Sequence, residues 1–246
     1  MAQPEERTAG RAPGGAFPAL VLLLTGLLAA AAVAGGVLAQ RAFTTRAAPS
    51  WPTMLWLLVL LTAAGFSIVR FQYRDQVDAF ELFEAILTPV MIVLPPMHVV
   101  VVVGVALAVS EGLQRNHPVK ACFNVAQWMA AAAAGAVVLA ALRGGAWPPT
   151  SRDLLALAAA MVVVMAVNDL ALIAVLWLAE PQPLGRVLGG VRPLVVPVWI
   201  VAGAINLAFG MLFVAAYLWT PLSAVLFLVP LAVLHWSGRA YASVRA

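Results

Sequence analysis

Phe80–Ser110 reads FELFEAILTPVMIVLPPMHVVVVVGVALAVS, an apolar run broken at Pro95-Pro96. Each half is about 14 or 15 residues, roughly 21 to 22 Å as helix, which is short of a hydrocarbon core of about 30 Å. Pro95 and Pro96 remove two backbone donors, and each disfavours helical geometry at the residue before it, so the run does not read as one continuous helix. Two readings remain: a re-entrant hairpin, or two short helices crossing a locally thin region. Either way the carbonyls freed at the break must be covered by protein or face a wet cavity, because lipid cannot satisfy them.

The stretches on either side say that this break lies in a membrane. Phe17–Ala39 is 23 residues without a charge, enough at about 1.5 Å per residue to cross a bilayer. A signal peptide competes for this segment, since Val37-Leu38-Ala39 resembles a cleavage site, but the uncharged run is longer than a usual signal core and favours an uncleaved anchor. Further spans are expected at Trp51–Val69, Ala121–Leu142, Leu154–Leu178, Leu194–Tyr217 and Pro221–Trp236. The expected fold is all-α: a polytopic membrane bundle of about six full spans plus the Pro-Pro-broken hairpin, eight helical segments in all. Residues 1–15 read as a flexible tail, 16–238 as the transmembrane domain and 239–246 as a short cytoplasmic tail.

Composition agrees. The 246 residues are 64% hydrophobic and 10% charged, with a mean hydropathy of +1.00, whereas soluble domains run near 45 to 50% apolar and about 25% charged. The one cysteine, Cys122, cannot form a disulfide within the chain. Basic residues occur in ones and twos rather than in a patch, so the sequence gives no reason to expect nucleic acid.

Those basic residues instead report topology. If Phe80–Ser110 turns back on itself, ten of the fourteen fall on one side and Arg41, Arg46, Arg143 and Arg152 on the other; a single crossing gives eight against six. The positive-inside rule favours the hairpin, with both termini cytoplasmic in the cell membrane. Trp51, Trp147, Trp177, Trp219 and Trp236 fall at span ends, as in an aromatic belt.

Few polar residues lie inside the spans. Asp169 is far enough into its helix that no small boundary shift frees it, and burying a carboxylate there costs on the order of 3 kcal/mol. It must be protonated, paired or facing water. Beside it, Asn168 leaves two readings open: a proton, cation or ligand site, or a polar clamp between helices. Asp78, Glu81 and Glu84, with Thr88 further in, fall at helical spacing along the first half of the broken segment. With His98 returning on the second half they make a candidate cation set, against the simpler reading of acids favoured in a helix's first turn. Asn124 and Gln127 share one helix face. Gly203, Asn206 and Gly210 share another and read as a packing stripe, as do the small residues of Ala29–Gly36.

Enzyme signatures are absent: no GxxxxGK[ST], GxGxxG, HExxH, CxxC or GxSxG. Lys120, the sole lysine, falls in a loop and not in a final helix where retinal would need it, and no histidine pair is placed for haem. No cofactor and no metal site is expected.

The order acidic short helix, Pro-rich break, second short helix, basic loop, PVKACFNVAQ at Pro118–Gln127 and VND at Val167–Asp169 resembles the amino-terminal multi-span module of actinobacterial signalling proteins. There the module precedes a diguanylate cyclase or HD-type phosphohydrolase domain. The resemblance covers roughly residues 50–245 and implies that Glu84, Pro95, Pro96, Phe123, Asn124, Gln127 and Asn168 are characteristic positions. More weakly, the chain is similar to membrane-embedded vitamin-uptake subunits. An output domain would begin after HWSGRAYASVRA, where this sequence ends. The resemblance therefore implies a non-catalytic sensor or anchor acting through a cytoplasmic or membrane protein partner, or through a second copy of itself. The alternative is a carrier of small solutes or ions.

Overall fold

The computed structural model describes residues 16–43, 49–66, 68–73, 76–144, 147–179 and 184–220, with Val229, Val233 and Trp236 beyond them. Over 16–18, 68–73, 76–81, 179, 184 and 186–199 the description is of the backbone alone. Among the described residues seven helices carry the architecture: α1 (Ala16–Ala42), α2 (Trp51–Phe66), α3 (Phe83–Val93), α4 (Pro96–Leu113), α5 (Pro118–Leu142), α6 (Ser151–Ala179) and α7 (Leu184–Trp219). Between α2 and α3, strands β1 (Ile68–Tyr73) and β2 (Gln76–Glu81) pair antiparallel. Of the expected span Pro221–Trp236 only Val229, Val233 and Trp236 are described, and both tails lie outside the described residues.

Among the described residues five helices are long and apolar enough to cross a membrane, with spans at Ala19–Ala42, Pro96–Leu113, Pro118–Leu142, Ser151–Leu178 and Ile200–Trp219. The chain is a helical membrane protein. Its outer surface suits lipid: Leu22, Leu23 and Leu27 of α1 and the stripe Val101, Val105 and Val109 of α4 are large apolar side chains left exposed.

The break at Pro95-Pro96 divides its segment unequally, against the even halves expected from the sequence. α3 has 11 residues and α4 has 18, about 16 and 27 Å. The difference arises because extended backbone runs to Glu81 and delays the start of α3, while Pro96, preset for a first helical turn, starts α4 at once. α2, expected to be a full span to Val69, stops at Phe66 for the same reason: the chain turns extended at Ile68.

Contacts at the two ends show how far the broken segment reaches. Gln40, at the end of α1, accepts a hydrogen bond from the Met97 backbone N–H at 3.2 Å, and Arg143, just past α5, donates to the Ile92 carbonyl at 3.3 Å. The Pro-Pro turn thus stands level with the C-terminal ends of α1 and α5. At the opposite end Gln114 donates to the Gly65 carbonyl at 3.1 Å, joining the ends of α4 and α2. The segment travels to the far end of the bundle and returns.

α3 is shielded on every side. From Leu82 to Ile92 only Glu84 is not fully buried, as expected of a helix apolar all round. Pro89 cannot donate to the Ala85 carbonyl, and Gly210 of α7 packs there: a Cβ on Gly210 would stand 3.0 Å from that oxygen and would collide with Thr88. Protein rather than lipid covers the weakened helix, as membrane depth demands. α5 is the central member, with α4 and α6 antiparallel to it and α1 alongside: Gly35 meets Ala133, Gly104 meets Met129, and Gly135 meets Val164 and the Ala160 carbonyl.

Candidate functional site

Six elements converge on a cavity of about 350 Å³ at the end of the bundle opposite the Pro-Pro turn. α5 contributes Lys120, Asn124, Gln127 and Trp128, and α6 contributes Met165, Asn168, Asp169 and Leu172, each set spaced by three or four residues and so on one helix face. Ser110, Glu111 and Gln114 line it from the end of α4, Glu84 from the start of α3, Gly203 and Asn206 from α7, and Gly65 from α2.

Amide side chains organise most of the carboxylates. Glu111, 8% exposed, accepts hydrogen bonds from Asn116 and Asn124, one on each carboxylate oxygen and both at 2.7 Å. This joins the antiparallel ends of α4 and α5 across their short loop, and charge-assisted bonds of this length are the strong kind. Glu84 accepts from Asn206 Nδ2 at 2.7 Å, tying α3 to α7. Gln127 Nε2 donates to Asn168, to its Oδ1 at 2.6 Å and its backbone carbonyl at 2.9 Å, tying α5 to α6. Thr88 returns its hydroxyl proton to the Glu84 carbonyl at 2.8 Å, local to α3.

The neighbours Asn168 and Asp169 therefore differ in role. Asn168 is the clamp. Asp169, half-buried on the cavity wall, has no hydrogen-bond or ion-pair partner among the described residues. Among the described residues, Glu84, Glu111 and Asp169 line the cavity together with a single cation, Lys120. A wall rich in carboxylate and amide oxygen, with one uncompensated carboxylate, suits a polar solute that carries a positive charge.

The cation set drawn from the sequence does not assemble. Asp78 and Glu81 are strand residues, in register with Phe71 and Ile68, so they do not continue the helix face of Glu84 and Thr88. The physical reason is the period-2 alternation of Val69, Phe71 and Tyr73 with Arg70 and Gln72, a strand pattern. The side chain of Glu81 lies outside the described residues. His98 stands in the first turn of α4, 13 residues from Glu111, about 20 Å along the helix, and takes no part in the cavity. Among the described residues no three His, Cys, Asp or Glu side chains come close enough to hold a metal ion.

At the far end, Asp153 serves structure. Wholly buried, it accepts from the Thr150 backbone N–H and hydroxyl and from the Gly144 N–H, all at 2.8 Å, and caps α6. Burial holds the nearby Arg143 guanidinium below its ordinary pKa, with the Asp153 charge opposing.

Glu111, Gln114, Asn116 and Lys120 were not expected at the site from the sequence. Their signal was the mirror placement of polar residues about the α4–α5 loop, which brings Glu111 opposite Asn124 once the helices pair antiparallel. Comparison with family models, with curated proteins and with solved structures finds no match to this chain.

Proposed function

We propose that this chain is a non-catalytic module of the cell membrane that binds a small polar solute in the cavity and passes the occupancy on through a protein partner. The observation that carries the reading is Asp169: a carboxylate in a membrane helix with no partner among the described residues, on the wall of a cavity otherwise organised by amide bonds. The resemblance to actinobacterial sensor modules points the same way, because four of its characteristic positions, Glu84, Asn124, Gln127 and Asn168, line that cavity. In this reading the cavity mouth is on the cytoplasmic side, with about six full crossings, the turned-back segment and cytoplasmic termini, and the placement of the basic residues supports it.

The test is a thermal-shift screen of the purified chain against vitamins, amino acids and cations, together with recovery of bound protein from mild detergent. Stabilisation by one solute class and a co-purifying partner are expected. A clean monomer that responds to no solute overturns the reading.

A carrier is the second reading, favoured by the cavity's opening at one end while apolar residues such as Leu87, Ile92 and Leu157 fill the other. It predicts solute uptake into liposomes, abolished by Asp169→Asn.

A further inference from the structure

The polar cavity has an apolar neighbour. A cleft of about 530 Å³ lies between α6 and α7, lined by Val162 and Ala166 on one side and Ile200 on the other, and it shares Met165, Asp169 and Gly203 with the polar cavity. Val162 and Ile200 are 56% and 66% exposed, and both belong to segments that span the membrane. The cleft therefore opens toward hydrocarbon, while the cavity beyond Asp169 is polar. Gly203 is what keeps the junction thin: a Cβ there would meet the Met165 sulfur at 2.7 Å.

We infer that the solute is an amphiphile, a long-chain amine whose ammonium sits at Asp169 and whose hydrocarbon tail lies in the α6–α7 cleft. This rests on the solute-binding reading above and names its chemical class. An apolar cleft at this depth excludes water. A tail gains little by leaving lipid for lining of the same polarity, so the tail alone gives no selectivity. The head supplies it. Asp169 has no counter-charge among the described residues, whereas of the two other carboxylates on the wall Glu111 accepts two amide donors and Glu84 accepts one from Asn206. An ammonium at Asp169 would satisfy a carboxylate that otherwise costs stability, in a place a tail can reach from the bilayer without crossing the polar mouth. The bilayer supplies the ligand at high local concentration, which a water-soluble cation lacks.

The experiment uses the full chain in neutral phosphatidylcholine nanodiscs, with binding to empty discs subtracted. The probes are dodecylammonium, ethylammonium as head without tail, and dodecanol as tail without charge. Dodecylammonium is expected to bind saturably and about tenfold or more tighter than ethylammonium, and dodecanol not to compete. Asp169→Asn should weaken dodecylammonium by about tenfold or more, the loss of one charge-assisted bond. Ala166→Trp, filling the cleft, should remove the advantage of the tail and leave ethylammonium unchanged. Val162→Trp provides the same test should Ala166→Trp fail to fold.

Equal affinity for the two amines overturns the cleft and leaves the polar-solute reading standing. Binding of neither, with a response to some other solute in the thermal screen, also overturns it. If nothing binds in either assay, the solute reading itself falls. Undiminished dodecylammonium binding in Asp169→Asn, or competition by dodecanol, reduces the effect to partition and overturns the inference. A disulfide dimer formed by Ala166→Cys in a Cys122→Ser background, with unlabelled amine unable to prevent it, would assign the cleft to a second copy instead.

Discussion

Gln127 Nε2 gives hydrogen bonds to both oxygens of Asn168, at 2.6 Å to the side chain and 2.9 Å to the backbone. Gln127 is 5% exposed, so removing Asn168 Oδ1 leaves a buried donor half-satisfied. Interhelical polar bonds in membranes contribute about 0.6 kcal/mol on average and up to about 1.7. Asn168→Ala and Gln127→Ala should each destabilise the protein by an amount in that range, read as a lowered thermal midpoint in detergent. The double variant should cost less than the sum of the two. Additive losses would mean that the two side chains do not act as a pair.

Asp169 should behave in the opposite sense. With no partner to lose among the described residues, Asp169→Asn removes a charge while keeping its size, and the empty protein should become more stable, by at most about 3 kcal/mol. The measurement is the thermal midpoint of ligand-free protein at neutral pH. The same change should reduce stabilisation by a cationic solute at a given concentration, as a loss of affinity of about tenfold or more requires. A variant less stable than wild type when empty would reveal a structural partner for Asp169.

The sequence carried the membrane class openly, because runs such as Phe17–Ala39 need only counting. It carried the break as well, since Pro95-Pro96 leaves no other local geometry. What it concealed was β1 and β2: Ile68–Tyr73 alternates in a strand pattern, yet its first residues, Ile68 and Val69, adjoin the apolar Trp51–Phe66 and read as the tail of that span. That concealment moved Asp78 and Glu81 onto a helix face they do not occupy. At the site, Asp169, Asn124 and Gln127 stood out as polar residues inside apolar helices. Glu111 and Asn116 did not, because next to a loop a polar residue is unremarked until antiparallel pairing turns it inward. Asn206 looked like packing, and only the approach of α3 brings Glu84 to it.

The crossing of α3 and α7 makes a prediction about packing. Gly210→Ala places a carbon against Thr88 and the Ala85 carbonyl, both on a helix buried on every side, so neither can yield cheaply. Overpacking of this kind costs about 1 to 3 kcal/mol. Gly26→Ala, with nothing within 4 Å of the added carbon, is the control and should be neutral or slightly stabilising. The two variants are compared by thermal unfolding in the same detergent. Equal midpoints would mean that α3 and α7 do not approach as closely as Gly210 allows.

Orientation can be read from the chain's own cysteine. Cys122 is a free, exposed thiol, two residues from Lys120 at the mouth of the cavity. Ten basic residues fall on that side when the broken segment turns back, and the orientation proposed above places it in the cytoplasm on that count. A membrane-impermeant maleimide should therefore leave Cys122 unmodified in intact cells and react with it in inverted membrane vesicles, while Cys122→Ser gives no signal in either. The vesicle arm shows that the thiol is reachable, so silence in intact cells reports sidedness rather than burial. Reaction in intact cells would turn the molecule over. The cavity would then face outward, the solute would come from outside the cell, and any cytoplasmic partner would have to read its occupancy through the full length of α5 and α6.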